Sequence, residues 1–584
     1  MGRISAGFCL IAGLLATTAT PSLSDEPTAE SMLVDQTTLP QATDIKGTRP
    51  QADSSAVTPA DTTLPEGLQP LTAPPPLALP DQLEQVRIHQ LRPLTLEEVL
   101  QLAEVNSPTL KAAASQVDQA QSALRAAIAS WYPTVDLSAN GLPQYLKSYS
   151  FRNPDFTRQT IPAVTGPFGQ VVRPERTVDG QNEFYSKQWR AAFNVSVSWD
   201  IIDPSRVPEI AGARDRFEQS RDAYLIALRD LRLDASLLYF SLQEADESVR
   251  IGQASVRASL IQLRDARARY NAGVNTKLDV LEAETQLADD RKLLADGLAA
   301  QKRTRRNLAA FLSLPQDVTP TAATPARPLG LWEASLQESI LAAYNYREEL
   351  DQLILDISIN NSDANASLAA VQPVLSFVNT TSTFRDEGQS GQRGWSDIEM
   401  DDYRWGVDNA TALQARWRLF DGGRSRANYR RLKQAAEEST QRFAASRNNI
   451  RLEVEESFIS QRTEIQNIET TSSRVLTARE ALRLSQLRVQ AGVSTQREVV
   501  DNQRDLTRAE LAYARAINAY NSSLAELRRR TGLDALQVCS AVSLTSVKPK
   551  LSGPEMPIEP IALPTVCPST ATATVETSPV QPLW

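Results

Sequence analysis

The sequence has a single histidine, His89, in 584 residues, and only 6% of its residues are aromatic. Histidine is the commonest metal ligand and the usual acid–base group near neutral pH, so we expect no metal site and no histidine catalysis. The sequence also has no phosphate-binding loop and no nucleophile placed beside a base. We therefore predict a protein that is not an enzyme and needs no cofactor.

The chain lacks an excess of positive charge. It contains 61 Lys and Arg residues against 70 Asp and Glu residues, which gives a formal net charge of -9. Proteins that bind nucleic acids carry basic surfaces that neutralise phosphates. We therefore expect no nucleic-acid partner.

Cysteine is scarce, and no long apolar segment is present. Cys9 falls in residues 1–24, where a basic residue, a short apolar run and small residues predict a cleaved signal peptide. Export to an oxidising compartment would allow Cys539 and Cys567 to form a disulfide, for which their even number is the only indication. No other segment has the run of about 18 apolar residues that a membrane-spanning helix needs.

The sequence after the leader divides into a spacer, two repeats and a tail. Residues 25–90 are rich in Pro and Thr and are predicted to be disordered. Beyond them, the segment Trp199 to Asp203 recurs as Trp417 to Asp421, and Ala272 to Thr276 recurs as Ala491 to Thr495. We assign repeat 1 to 91–330, repeat 2 to 331–535 and a C-terminal tail to 536–584.

Each repeat predicts one long helical hairpin, at 208–314 and at 424–533. Apolar residues follow each other at intervals of seven in both hairpins, at Leu242, Val249, Val256, Leu263 and Tyr270 and again at Ile468, Val475, Leu482 and Val489. A seven-residue repeat keeps facing one partner only when the helices supercoil, so it predicts coiled-coil packing.

Four segments alternate apolar and polar residues over lengths typical of membrane β-strands, at about 134–142, 191–201, 374–384 and 411–420. Four strands of a soluble sheet are the alternative. Because four strands leave two bare edges, which lipid does not tolerate, a barrel would need several subunits. Arg416 and Arg418 fall on the polar face of the last segment and would face the barrel lumen. The loop at 143–189 is predicted to be extracellular.

Three groups of residues indicate the order of these elements and their duplication. They are Leu94-Thr95-Leu96-Glu97-Glu98-Val99 with Asn106-Ser107-Pro108, Trp417-Arg418-Leu419-Phe420-Asp421-Gly422-Gly423-Arg424, and Tyr270-Asn271-Ala272-Gly273-Val274 with Leu278-Asp279-Val280-Leu281-Glu282-Ala283. Over about 94–533 the chain resembles the TolC-like outer membrane factor family. The resemblance implies a mainly α fold with a membrane β-barrel, in which four strands per chain contribute to a trimeric twelve-stranded barrel.

The resemblance also implies location and function. A homotrimer would lie in the outer membrane, in contact with its lipid, with a helical tunnel in the periplasm. It would passively conduct small molecules or unfolded proteins, as the exit duct of a tripartite efflux pump or a type I secretion system. Its partners would be a periplasmic adaptor protein and an inner-membrane pump or ABC transporter. A periplasmic adaptor and an exported coiled-coil rod are the alternatives, but an adaptor predicts one hairpin and a rod predicts no alternating strands.

The candidate functional residues lie at the hairpin turns. The spacing of Thr276 to Asp279 and of Thr495 to Glu498 predicts capping boxes at the start of each return helix. Acids are favoured in the first turn of a helix, and four occur there, namely Asp279, Glu282, Glu498 and Asp501. The resemblance implies that the acids at 498 and 501 line a periplasmic mouth, with Ser494 where a gating arginine would be expected.

The turns themselves have two interpretations. A tight interhelical turn requires glycine for positive φ, which explains Gly273 and Gly492 without a partner. The resemblance implies that Gly273-Val274 and Gly492-Val493 also dock the tip of an adaptor hairpin.

Overall fold

A computed structural model describes residues 64–77, 79–80, 90–151, 159–178, 183–393, 398–533 and 535–538. The signal peptide, Cys539 and Cys567, and nearly all of the tail lie outside the described residues, as does His89. None of the described helices is both long enough and apolar enough to cross a membrane.

The helices occupy the hairpin segments and the stretches that precede the strands. They are α1 Leu96–Asn106, α2 Pro108–Ile128, α3 Arg206–Asn271, α4 Lys277–Phe311, α5 Leu336–Tyr346, α6 Glu348–Ala369, α7 Arg424–Gln490 and α8 Gln496–Thr531. At about 1.5 Å per residue, α3 and α7 are each about 100 Å long. The first hairpin pairs α3 with α4, the second pairs α7 with α8, and α6 packs between α3 and α7.

The long helices pack through the predicted seams. In the second hairpin Ile468, Val475, Leu482 and Val489 are all buried. In the first, Leu242, Val249 and Leu263 are buried, whereas Tyr270 at the tip is 45% exposed. The seven-residue pattern thus correctly identifies the packed face, except where the helix ends.

The strands are the other repeated elements. They are β1 Gln90–Leu94, β2 Thr134–Phe151, β3 Gln159–Ile161, β4 Val164–Thr165, β5 Val171–Arg173, β6 Arg176–Val178, β7 Glu183–Ile202, β8 Val318–Ala322, β9 Gly330–Trp332, β10 Val374–Arg393, β11 Ile398–Arg416 and β12 Leu536–Val538. The main sheet has four antiparallel strands in the order β11-β10-β7-β2. Short strand pairs, β1 with β8 and β9 with β12, lie beside the middle of the long helices.

The four long strands are about twice as long as predicted. Their lengths are 18, 20, 20 and 19 residues, so parts of 143–189 are strand rather than loop. Alternation weakens at the outer ends because polar and glycine residues occupy both faces there. The last strand ends at Arg416 instead of 420, which places Arg418 beyond the sheet and corrects the prediction that it lies on the strand face.

The main core lies at mid-length of the helices, and it includes part of the predicted spacer. Leu64, Leu68 and Leu71 are buried in this core. Buried Asn106 donates to the carbonyl of Leu71 at 2.8 Å and accepts from the amide of Ala73 at 2.9 Å. The prediction of disorder for the whole of 25–90 is therefore wrong for the segment around Leu64 to Ala73, where leucines at helical spacing provide apolar surface that overall composition does not reveal.

Candidate functional site

The two hairpins end in the same turn. The amide of Val274 donates to the carbonyl of Arg269 at 2.9 Å, and the amide of Val493 donates to that of Arg488 at 2.9 Å. Gly273 and Gly492 each have φ of +74°. This six-to-one hydrogen bond with a left-handed glycine is a Schellman motif, which satisfies the last carbonyls of each helix. The predicted requirement for glycine at both turns is confirmed.

Each turn presents an apolar side chain outward. Val274 is 72% exposed and Val493 is 66% exposed. No atom lies within 4 Å of the position that a Cβ would take on Gly273 or Gly492. The outer surface of both turns is thus open within the described part of this chain.

The four predicted acids divide into one cap and three ion-paired groups. Asp279 accepts hydrogen bonds from the amide of Thr276 at 2.9 Å and from its hydroxyl at 2.8 Å, as the capping interpretation predicts. Thr495 occupies the equivalent N-cap position, but its side chain makes no capping hydrogen bond. The second capping box therefore does not form.

Glu498 does not cap because an arginine and a serine engage its carboxylate. The guanidinium of Arg488 lies 2.7 Å from Glu498 Oε1, and the Ser494 hydroxyl donates to the other oxygen. Arg488 is ten residues away in the sequence and meets Glu498 only because the turn reverses the chain, so the capping-box spacing does not predict this pair.

The remaining acids face two further arginines. Asp501 pairs with Arg504, and Arg497 lies 3.9 Å from Asp501 and 3.9 Å from Glu282. Arg497 therefore lies between the two return helices. The spacing of Arg497 to Asp501, four residues on one helix, is a sequence signal that could have identified this pair.

A direct contact holds the two tips side by side. Arg269 at the end of α3 donates to the carbonyl of Val489 at the end of α7, at 3.1 Å. Arg269 and Arg488 occupy equivalent positions in the two repeats, yet one contacts the neighbouring hairpin and the other its own. The two tips therefore form one charged end of the molecule.

At the opposite end, one face of β2 and β7 is apolar and bordered by aromatic residues. Between the borders lie Val135, Leu137, Phe193, Val195 and Val197. On β10 and β11 the same face is more polar at this level, with Asn379, Thr381, Asn409 and Thr411. Trp199 marks the border near the helices. Trp189 marks the outer border, and the centre of its ring lies 5.0 Å from that of Tyr145. Ten residues of tilted strand separate the two tryptophans, which corresponds to about 25 Å, the height of the apolar band on a membrane barrel.

The other face of the sheet carries a row of charges that sequence analysis missed. Asp386 lies directly between Arg190 and Arg404 in the strand register. Its carboxylate is 2.9 Å from Arg190 and 4.0 Å from Arg404. The Asp386 side chain is only 4% exposed, whereas those of Arg190 and Arg404 are 42% and 59% exposed. The face therefore presents guanidinium groups and conceals their counter-ion.

A second contact on this face crosses three strands. Gln188 on β7 donates to Asp402 on β11 at 2.7 Å, although β10 lies between them. Gly388 stands between the two residues in the register, and its missing side chain leaves room for the contact. Arg416 shares this face at the end of β11, far from the charged row. Among the described residues no cluster of three or more His, Cys, Asp or Glu could hold a metal ion.

Comparison with known proteins identifies the fold and the family. The chain is 26% identical to protein CyaE of Bordetella pertussis over 234 residues, which spans 40% of this chain and 47%, about half, of that relative. It is similar in structure to CusC, with a TM-score of 0.56 and 15% identity over 79% of this chain and 96% of that one. It is likewise similar to the outer membrane protein VceC of Vibrio cholerae, with a TM-score of 0.54 and 15% identity over 75% and 96%.

These structural likenesses show a shared fold of long helices and barrel strands. The family model for outer membrane efflux proteins matches residues 99–313 and 344–533. The two matched segments coincide with the two repeats, including both hairpins and both strand pairs. The chain therefore belongs to the outer membrane efflux protein family.

Proposed function

We propose that three copies of this chain close into a twelve-stranded barrel that continues as a helical tunnel and serves as an exit duct. The duct would conduct cargo passively, either for a tripartite efflux pump or for a type I secretion system. In this proposal the duct is oriented with its sheet in the outer membrane and its paired tips in the periplasm.

The open sheet carries this proposal. Strands β2 and β11 each have one neighbour in the main sheet, so two edges of 18 and 19 residues are unpaired within the described part of the chain. Unpaired backbone groups are costly in lipid, and pairing β11 of one copy with β2 of the next would satisfy them. Four strands per copy give twelve strands in a closed trimer.

The helices also leave surfaces for neighbouring copies. In α2, a helix of 21 residues, Leu110 is the only buried residue among those described. The first part of α7, from Arg424 to Arg447, is similarly exposed, with Ser425, Ala436 and Ser439 buried. In a closed ring, α2 of one copy would pack on α7 of the next and complete the tunnel wall.

The charged tips would form the periplasmic mouth. Three copies would place Glu498, Asp501, Glu282 and Asp279 around the axis, with Arg488, Arg497 and Arg504 as counter-ions. The Arg488–Glu498 pair would take the place of the gating arginine that the resemblance leads us to expect near Ser494. The exposed Val274 and Val493 would dock a periplasmic adaptor, which would connect the duct to an inner-membrane pump or ABC transporter.

The oligomeric state of purified protein tests the central step. We expect native mass spectrometry of the full chain, released from detergent, to give a single species of three chains. A monomer or dimer that retains its helical content would contradict the proposal.

The double variant Val274→Asp/Val493→Asp tests adaptor docking at the hairpin tips. It should leave the trimer intact and abolish cross-linking to a co-expressed adaptor.

A further inference from the structure

Two lysines face each other on the outward face of the sheet, just beyond its outer aromatic border. Lys147 on β2 is directly opposite Lys187 on β7. The next pair towards the helices is Tyr145 with Trp189, and the next pair away from them is Tyr149 with Tyr185. All three pairs share the face that carries the apolar band. The lysines therefore lie where lipid headgroups meet the barrel surface.

This arrangement places two residues of like charge directly opposite each other. Side chains directly opposite on antiparallel strands have Cβ atoms about 5 Å apart, and equal charges there destabilise the pair. Within the described residues no carboxylate forms an ion pair with either lysine. The nearest outward acid on β10, Glu387, is already paired with Arg385 at 3.2 Å. Among the described residues, the lysine pair thus has no carboxylate as a counter-ion.

The neighbouring aromatic rings hold both ammonium groups at this level. Lys147 Nζ lies 5.2 Å from the centre of the Tyr149 ring, and Lys187 Nζ lies 5.7 Å from that of Tyr185. The two tyrosine rings are themselves 6.4 Å apart. Cation–π contacts at these distances orient a lysine without neutralising it.

We propose that Lys147 and Lys187 bind the phosphate of an anionic lipid headgroup in the outer leaflet. One phosphate between the two ammonium groups would supply the missing counter-ion, while the acyl chains of the same lipid would cover the apolar band below Tyr145 and Trp189. This site rests on the proposed barrel, because it requires the outward face to meet lipid.

Lipid binding by the purified full-length protein in nanodiscs tests the site, with bis-phosphorylated lipid A as the probe. We expect the double variant Lys147→Gln/Lys187→Gln to bind lipid A at least ten-fold more weakly than the parent. Each single variant should be intermediate. Lys292→Gln, which removes an exposed lysine from α4, should bind like the parent. Lipid A without its phosphates should bind the parent and the double variant equally weakly, and millimolar inorganic phosphate should not compete.

Equal affinity of the parent and the double variant for lipid A would overturn the site. So would competition by inorganic phosphate at millimolar concentration, which would indicate a site for a free anion. If an acid of the neighbouring copy neutralised the lysines instead, the double variant would lose trimer stability with no change in lipid binding, which also overturns it. In each case an intact parent trimer would still support the proposed exit duct. A parent protein that is not trimeric would contradict the proposed duct itself.

Discussion

Glu349, at the start of α6, is the centre of a buried charge network at mid-length of the molecule. Its carboxylate lies 3.0 Å from Arg347 and 2.8 Å from Arg529. Arg529 also contacts Asp230 at 2.5 Å on α3, so the network connects three helices. Burial alone would raise the pKa of Glu349, but the hydrogen bond from Arg347 and the charge of Arg529 outweigh it and lower this pKa to about 2.

We predict that Glu349→Gln destabilises the protein at neutral pH. Because the folded-state pKa lies below the ordinary value of 4.5, the ionised carboxylate stabilises the fold above pH 4.5, and this contribution is lost as the pH falls towards 2. The shift corresponds to about 3 kcal/mol, and partial exposure reduces the expected loss to about 2 kcal/mol. Denaturant unfolding followed by circular dichroism at pH 7 and at pH 2 measures it.

The matched control is Glu480→Gln on α7. Glu480 pairs with Arg483 at 2.6 Å, but both side chains are more than half exposed. Because solvent screens such a pair, its removal should leave the stability nearly unchanged. If Glu349→Gln were as neutral as this control at pH 7, the buried network would not hold the helices together.

Individual residues were predicted from sequence where their role depends on near neighbours in the chain. The positive φ of Gly273 and the cap formed by Asp279 follow from the local turn. The absence of a capping hydrogen bond from Thr495 could not be predicted from the local turn, because Arg488 reaches Glu498 from the other side of that turn. Arg269 was missed for the same reason, since its acceptor is the carbonyl of Val489, more than two hundred residues away.

Among the elements, the turns at the hairpin tips depend on their glycines. Since nothing lies near Gly492, a side chain there meets no clash, and only the left-handed backbone opposes it. We predict that Gly492→Ala costs about 1–2 kcal/mol locally. Hydrogen exchange at the Val493 amide, which bonds the carbonyl of Arg488, should become faster.

Val493→Ala is the control for this prediction, because it changes the exposed side chain and keeps the glycine. Its amide should exchange as in the parent. If the Val493 amide of Gly492→Ala were as well protected from hydrogen exchange as that of the parent, the turn would not need a left-handed residue.

The sheet depends on a close approach between strands at Gly388. A Cβ at this position would lie 2.1 Å from the carbonyl oxygen of Lys187 and 2.6 Å from the Cα of Gln188. We predict that Gly388→Ala pushes β10 away from β7, breaks the contact of Gln188 with Asp402, and costs about 1–3 kcal/mol. The urea midpoint for loss of β-structure in detergent should fall.

Ser390→Ala, two residues further along the same face of β10, provides the comparison and should leave this midpoint nearly unchanged. Sheet stability equal to the parent in Gly388→Ala would mean that β7 and β10 are not so closely paired. The importance of Gly388 could not be predicted from sequence, because it arises from the register of three strands separated by long stretches of chain.

At the scale of the whole molecule, the family match covers both repeats of the chain. Its duplication, its coiled-coil hairpins and its strand faces were predictable because each produces a regular period in the sequence. The charged row of Asp386 with Arg190 and Arg404 could not be predicted, since it depends on the register of three strands. The core position of Leu64, Leu68 and Leu71 was hidden by the Pro- and Thr-rich composition around them.

Conductance of the purified oligomer in a planar bilayer tests the central claim most directly. A barrel closed by three copies and continuous with the helical tunnel should give discrete, uniform single-channel openings. Correctly folded oligomers that insert into the bilayer and never conduct would contradict the account of this protein as a duct.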